Sequence, residues 1–312
     1  MLRYLGIRFL SLFVTLIVAS IIVFTVMEIV PGDPAALMLG INARPDTLAA
    51  LRAELGLDEP VLARYLDWVS GMARGDFGMS LTYRVPVSEL IADRIAVSLP
   101  LTAYALVLAI FVGFSAGIGA AAARGGPLDW GIIGATQLGI AIPNFWFAMM
   151  LVFLFAISLG WFGAGGFPGW SDPVAAFRAL TLPALALALP QAAILARVLR
   201  TSLIETLDED YIRTARAKGV SQAGTLWRHA LRNALIPVLT IIGLQVSFLL
   251  AGAIIIEQVF VLPGLGRLIL QGITQRDLIV VQSTVMILVF ALIVITFLVD
   301  IAYAVIDPRL RR

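Results

Sequence analysis

The sequence contains no cysteine, one lysine and one histidine in 312 residues. Each scarcity excludes some chemistry. Without cysteine there is no disulfide and no thiolate metal site, and the compartment is left open. The only lysine, Lys218, stands between Ala217 and Gly219. No Gly-x4-Gly-Lys-Ser/Thr loop therefore exists to cradle a nucleotide phosphate, and any ATP used must be bound by another subunit. The single histidine, His229, excludes a multi-histidine metal site and leaves only one candidate for a Ser-His-Asp triad. It falls among arginines on the polar side of an expected helix, which reads as surface. Charge is scarce as well: 13% of residues are charged and 60% are hydrophobic. Soluble domains run near ~25% and ~45–50%. The chain reads as a polytopic membrane protein. A net charge of +2 calls for no nucleic-acid partner.

What is present is a series of long apolar runs, with ~20 residues enough to cross the hydrocarbon. Phe9 to Val30 is the first. A signal peptide is the rival reading, but its apolar core is shorter, ~7–15 residues, and this run ends in Glu28 and PGDP. Residues 31–98 are polar and punctuated. Pro45-Asp46 starts a helix that Gly56 ends. A second helix runs from Pro60 to Ala73, with Leu62, Tyr65, Leu66, Val69 and Met72 as its apolar face. PVSELIADRI forms a third, leading into the membrane. Further spans follow over Leu99–Ala123, Ile132–Leu159, Leu180–Val198, Leu235–Ile256 and Val281–Ile306. Gly160 to Arg178 is glycine-rich and aromatic, suited to the interface. Residues 257–279 are semi-polar and read as partly re-entrant or interfacial. The division is a first transmembrane helix at 1–30, an external helical insert at 31–98, a five-helix core at 99–306 and a tail at 307–312.

Thirteen basic residues lie on the side holding both termini, three in the short loops opposite and six in the insert. Positive charge marks the cytoplasmic side, so both termini and the loop at 201–234 are expected there. That loop is densely basic. Asp208 and Asp210 are placed to cap a helix beginning near Tyr211, and Gly219 to end it in a left-handed conformation. Ser221 caps a second helix. There Ala223, Leu226, Trp227, Ala230, Leu231, Ala234 and Leu235 make one apolar stripe at helical spacing, with Thr225, Arg228, His229, Arg232 and Asn233 opposite. This is either a partner surface or a solvated loop with snorkelling arginines.

The loop resembles that of ABC-importer permeases, whose pattern is EAA, three residues, Gly, nine residues, I-x-L-P. Aligned on Gly219, Ala215 matches the second alanine and Leu231 the leucine. Arg213, Thr214, His229 and Arg232 replace the glutamate, first alanine, isoleucine and proline. ARAKG followed by HALRNALIP is how the loop reads in the dipeptide/oligopeptide/nickel/glutathione branch. PGDP at 31–34, LGLDEP at 55–60, RYLDW at 64–68, GDFGMS at 75–80, AIPNFW at 141–146, GAIIIEQVFVLPGLG at 252–266 and DPRLR at 307–311 extend the resemblance over the chain.

The resemblance implies an all-α type I importer permease (MetI-like) of the bacterial inner membrane. It would have six transmembrane helices and an external helical insert, and would work by alternating access. It implies a second homologous permease, two ATP-binding subunits that carry ATP-Mg, and an external solute-binding protein as partners. This chain itself would bind no cofactor or metal. Coupling to the ATPase falls to Thr214, Ala215, Lys218, Gly219, Ser221, Trp227 and Leu231.

Polar residues within the spans are candidates for a solute path: Asn144, Gln191, Gln245 and Ser247, with Gln137 and Glu257 beside them. The bland reading of each is interhelical hydrogen bonding. A proton-coupled secondary transporter is the alternative function, with Glu257 or Asp300 as the proton site. A membrane enzyme is disfavoured by the poverty of His, Cys and clustered carboxylates. A purely structural protein has no use for polar mid-span residues. The solute is not legible.

Overall fold

A computed structural model describes residues 2–29, 34–39, 44–54 and 56–306. Residues 31–33 of PGDP, Leu55 and the DPRLR tail with Asp307 lie outside the described residues. The regular elements described are helical: α1 (Leu2–Ile29), α2 (Pro34–Leu39), α3 (Pro45–Glu54), α4 (Val61–Ala73), α5 (Val87–Ala122), α6 (Pro127–Ala141), α7 (Asn144–Leu151), α8 (Pro173–Leu207), α9 (Asp210–Ala217), α10 (Gln222–Gly224), α11 (Leu231–Val259), α12 (Leu265–Gln275) and α13 (Leu278–Ile306). Two π-helical turns, Val152–Ser158 and Thr225–Ala230, extend α7 and join α10 to α11.

Five helical runs are long and apolar enough to cross a membrane, and α6 with α7 makes a sixth if the bent pair is one span. Three of these differ from expectation. The insert helix PVSELIADRI and the second span form one 36-residue helix through Pro100. Proline removes only one backbone donor, and the buried Val97 and Leu101 hold the helix on either side of it. The third span is not continuous. It bends by 104° between α6 and α7. Ile142 and Pro143 are both extended there, with ψ of 126° and 132°, because a residue before proline is driven out of the helical region. The second loop helix and the fifth span are continuous, from Gln222 to Val259.

The chain divides into two compact units. One holds Leu99–Leu262 with the segments up to Arg8 and from Ile295. Its centre is α8, where Leu180, Leu187, Leu195, Leu199 and Leu203 alternate with buried alanines. The start of α8 is fixed by Asp172, whose carboxylate accepts from the amides of Val174 and Ala175, with Pro173 in the first turn. Small residues let neighbours approach closely. A Cβ at Gly113 of α5 would stand 2.7 Å from that of Leu195, and one at Gly117 2.8 Å from the Ala196 carbonyl oxygen. The loop after α7 is pinned as well: the Gly166 amide donates to the Phe260 carbonyl at 2.8 Å, and Arg178 donates to the Trp161 carbonyl. Arg8 pairs with Asp300 at 3.2 Å.

The second unit holds Phe9–Ser98 and Pro263–Val294. Val87, Ile91, Leu265, Leu268 and Val280 form its core. The buried Asp277 organises it: one carboxylate oxygen accepts from Ser80 Oγ at 2.6 Å and from the Thr82 amide at 3.0 Å, the other from the Val280 amide at 3.2 Å. Residue 277 thereby caps α13 and anchors the 78–86 loop. The apolar face expected for α4 packs in part, with Tyr65, Val69 and Met72 half-buried. Leu62 and Leu66 are exposed. Tyr65 and Trp68 instead stack near Phe24 of α1, Tyr65 meets Ser20 at 2.8 Å, and Arg64 pairs with Glu28. The Tyr65 hydroxyl and the Arg64 guanidinium find partners on α1, which turns this side of α4 inward.

Candidate functional site

The loop expected to carry function is ordered end to end. α9 stops in a Schellman turn: the Val220 amide donates to the Ala215 carbonyl at 3.2 Å and the Gly219 amide to Arg216 at 2.9 Å. Gly219 has φ of +86°, the left-handed conformation that glycine adopts without strain. Ser221 caps the next helix, its Oγ accepting from the Gly224 amide at 3.2 Å. The start of α9 differs from expectation. Glu209 is the cap residue, without a side-chain bond. Asp208 is drawn away by Arg124, whose Nη1 reaches both carboxylate oxygens at 2.9 Å. Asp210 pairs with Arg213 at 3.3 Å.

The apolar stripe is kept in part, with Leu226, Ala230, Leu231, Ala234 and Leu235 buried or half-buried. Its expected members Ala223 and Trp227 are exposed, whereas Thr225, expected on the polar side, is fully buried with Ala230, Ala234 and Val238. The cause is the π-helical turn, which adds a residue to the register. The inward positions step by five from Thr225 to Ala230, then by four. Thr225 tolerates burial because its Oγ1 donates to the Ser221 carbonyl at 2.9 Å. Leu231 and His229 are half-buried, and Thr214, Lys218, Gly219 and Ser221 are exposed. Asn233 Nδ2 donates to the Tyr211 hydroxyl at 2.7 Å, tying α11 to α9. The outer surface therefore combines Trp227 and Tyr211 with Arg213, Arg216, Lys218, Arg228 and Arg232, all exposed.

Below this surface lies an ion pair that sequence reasoning missed. Arg200 of α8 donates from Nε and Nη2 to the two oxygens of Asp129 at 2.5 and 2.7 Å. The Gly125 amide adds a third bond at 2.9 Å, and Asp129 is 2% exposed. Bidentate guanidinium–carboxylate geometry fixes orientation as well as distance. Arg124 and Arg200 were legible only as cytoplasmic charge. The one available signal was an Asp in the first turn of a helix directly after a basic turn.

The intramembrane candidates fall into two groups. Gln191 and Gln245 meet: Gln245 Nε2 donates to the Gln191 carbonyl at 2.8 Å, joining α11 to α8. Both side-chain oxygens are buried without a hydrogen-bond partner. Asn144 and Ser247 are half-buried, and Asn144 Nδ2 lies 3.8 Å from the position a Cβ would take at Gly252 of α11. Gln137 is exposed and Glu257 fully buried. Among the described residues no group of three or more His, Cys, Asp or Glu stands where it would hold a metal ion.

The sequence profile of the family described as binding-protein-dependent transport system inner membrane component matches residues 109–312, and the profile of the N-terminal part of such components matches residues 1–102. The chain belongs to this family. A protein named for a peptide transport system permease in Brucella abortus (strain 2308) is 44% identical over 95% of both chains. The glutathione transport system permease protein GsiC of Escherichia coli (strain K12) is 40% identical over 100% of this chain and 99% of its own. An inward-facing structure of the MetNI methionine ABC transporter superposes with a TM-score of 0.59, covering 70% of this chain and 96% of its own, at 17% identity. That likeness concerns the fold. The chain is an all-α ABC importer permease of the branch its motifs resemble, and a proton-coupled carrier is not favoured. In the permease, the α8–α9–α11 region supplies the exposed basic surface, and the α5–α6 turn is clamped to it.

Proposed function

We propose that this permease moves short peptides or a similar small solute into a bacterial cell by alternating access. The observation that carries the reading is likeness over 94–100% of the chain to permeases named for peptide and glutathione transport. The transporter combines this chain with a second homologous permease, two ATP-binding subunits and an external solute-binding protein. ATP-Mg sits on the ATP-binding subunits, in keeping with the lack of a phosphate-cradling lysine here. The loop at 201–234 is the coupling element, and its exposed Trp227, flanked by arginines, suits an acidic groove on the ATPase. Thr214, Ala215, Lys218, Gly219, Ser221 and Leu231 shape that element. Asn144 and Ser247 are the half-buried polar groups available to line the path, and Gln191 and Gln245 act where α8 meets α11. Both termini lie in the cytoplasm, the insert at 31–98 lies outside, and 99–306 forms the core. Expression with the neighbouring subunits, purification through this chain and an ATPase assay test the reading. Co-purified ATPases whose hydrolysis rises with a peptide-loaded binding protein are expected. A chain that purifies alone and takes up solute on a proton gradient would overturn it.

A further inference from the structure

An open cavity of about 310 Å³ lies between α8 and α11, lined by Arg197, Val198, Thr201, Ser202, Glu205 and Pro237. It stands at the small end of ligand cavities, ~300–1,000 Å³. Arg197, Thr201 and Glu205 are spaced four apart and so share one helical face, and all three are exposed. At its floor Ser202 Oγ donates to the Ala234 carbonyl of α11 at 3.1 Å. Arg200, one turn away, is occupied by Asp129. Among the described residues, the Arg197 and Glu205 side chains take part in no hydrogen bond or ion pair. The cavity thus presents a cation at one end, an anion at the other and a hydroxyl between. Eight residues of helix separate the charges by about 12 Å. An extended chain covers ~3.3–3.6 Å per residue, and long flexible side chains close part of the gap.

Resting on the peptide-permease reading, we infer that this cavity is a subsite for a short zwitterionic peptide near the inner mouth of the path. Arg197 receives the terminal carboxylate and Glu205 the terminal ammonium, with the peptide lying over Thr201 between them. The site favours peptides of about two to four residues with both termini free.

The absence of native cysteine provides the test. Thr201→Cys is introduced into the fully assembled transporter, and alkylation of this chain by a maleimide is followed by mass. Trialanine applied from the inner side is expected to slow alkylation about threefold at twice its dissociation constant. N-acetyl-trialanine amide leaves the rate unchanged. Arg197→Gln or Glu205→Gln in the same background abolishes protection, whereas Arg197→Lys keeps it, which separates lost recognition from lost assembly. Equal protection by the blocked peptide, or protection that survives both neutral substitutions, overturns the subsite. A thiol that is unreactive in the assembled complex without peptide overturns it too, since a partner subunit then covers the cavity. Binding-protein-driven uptake of trialanine is measured in parallel. Uptake without protection sinks the subsite alone, while a complex that takes up no peptide sinks the functional reading beneath it.

Discussion

At Gly219 a Cβ would meet nothing within 4 Å, so space does not explain the residue. Its φ of +86° does, since a β-branched side chain is strained in that region by ~1–3 kcal/mol. The strain falls on the turn joining α9 to the capped helix after it, within the proposed coupling loop. Gly219→Val is therefore expected to leave the complex assembled and hydrolysing ATP, while uptake per ATP falls roughly 5-fold or more. Paired measurement of uptake and hydrolysis in proteoliposomes checks this, and an unchanged ratio would remove the turn from the coupling path. Gln245 shows a different logic. Its amide bonds a backbone carbonyl of the neighbouring helix, yet its oxygen and that of Gln191 remain unsatisfied in a buried setting. Such groups are costly to bury.

Among the elements, the α5–α6 turn and the end of α8 behave as one piece. Two ion pairs join them, Arg200 with Asp129 through two nitrogens and Arg124 with Asp208 through one, and they are not equal. Asp129 is 2% exposed and bonded three times, whereas Arg124 and Asp208 are 53% and 57% exposed. Exposed pairs contribute little, and breaking a buried one strands its partner. Asp129→Asn is expected to lower the Tm of the purified complex by roughly 4 °C or more, and Arg124→Gln by much less. The double variant Asp129→Asn with Arg200→Gln should lose less than the sum of the two singles. Additive losses by differential scanning fluorimetry would show that the pair is not a unit. None of this was visible in the chain, because Asp129 and Arg200 are 71 residues apart and each is ordinary in its own segment. Local features were legible for the opposite reason. The Ser221 cap and the Gly219 turn depend on residues a few positions away, and both occur as expected. The partly kept stripe marks the limit: a π-helical turn leaves no mark in a pattern read at 3.6 residues per turn.

At the scale of the molecule, the number and order of apolar runs were legible because hydrocarbon thickness fixes their length. The 104° bend was not, although Pro143 stood in view, because proline within a span is often absorbed, as at Pro183, Pro190 and Pro237. The bend matters for topology. α6 and α7 with its π-helical turn are 15 residues each, about 22 Å apiece, shorter than the ~30 Å hydrocarbon. The pair either crosses together or returns to the side it left. Ion pairs favour the first. Arg124, just after α5, bonds Asp208, just after α8, so those two helix ends share a level. α8 has 35 residues, about 52 Å, and so begins on the opposite side. On this geometry we propose that the chain crosses between Arg124 and Asp172, with the bent pair as the third span. Arg8 and Asp300 likewise bring the two outer helices to one level. We propose six crossings, with the side that holds the thirteen basic residues of the termini and the loop in the cytoplasm. Alkaline phosphatase fusions at residues 60 and 165 should therefore be active, and one at residue 220 inactive. GFP fusions should give the reverse pattern. Phosphatase activity at 220 together with inactivity at 165 would invert the core, whereas like behaviour at 165 and 220 would make the bent pair re-entrant and break the parity on which the placement of the coupling loop depends.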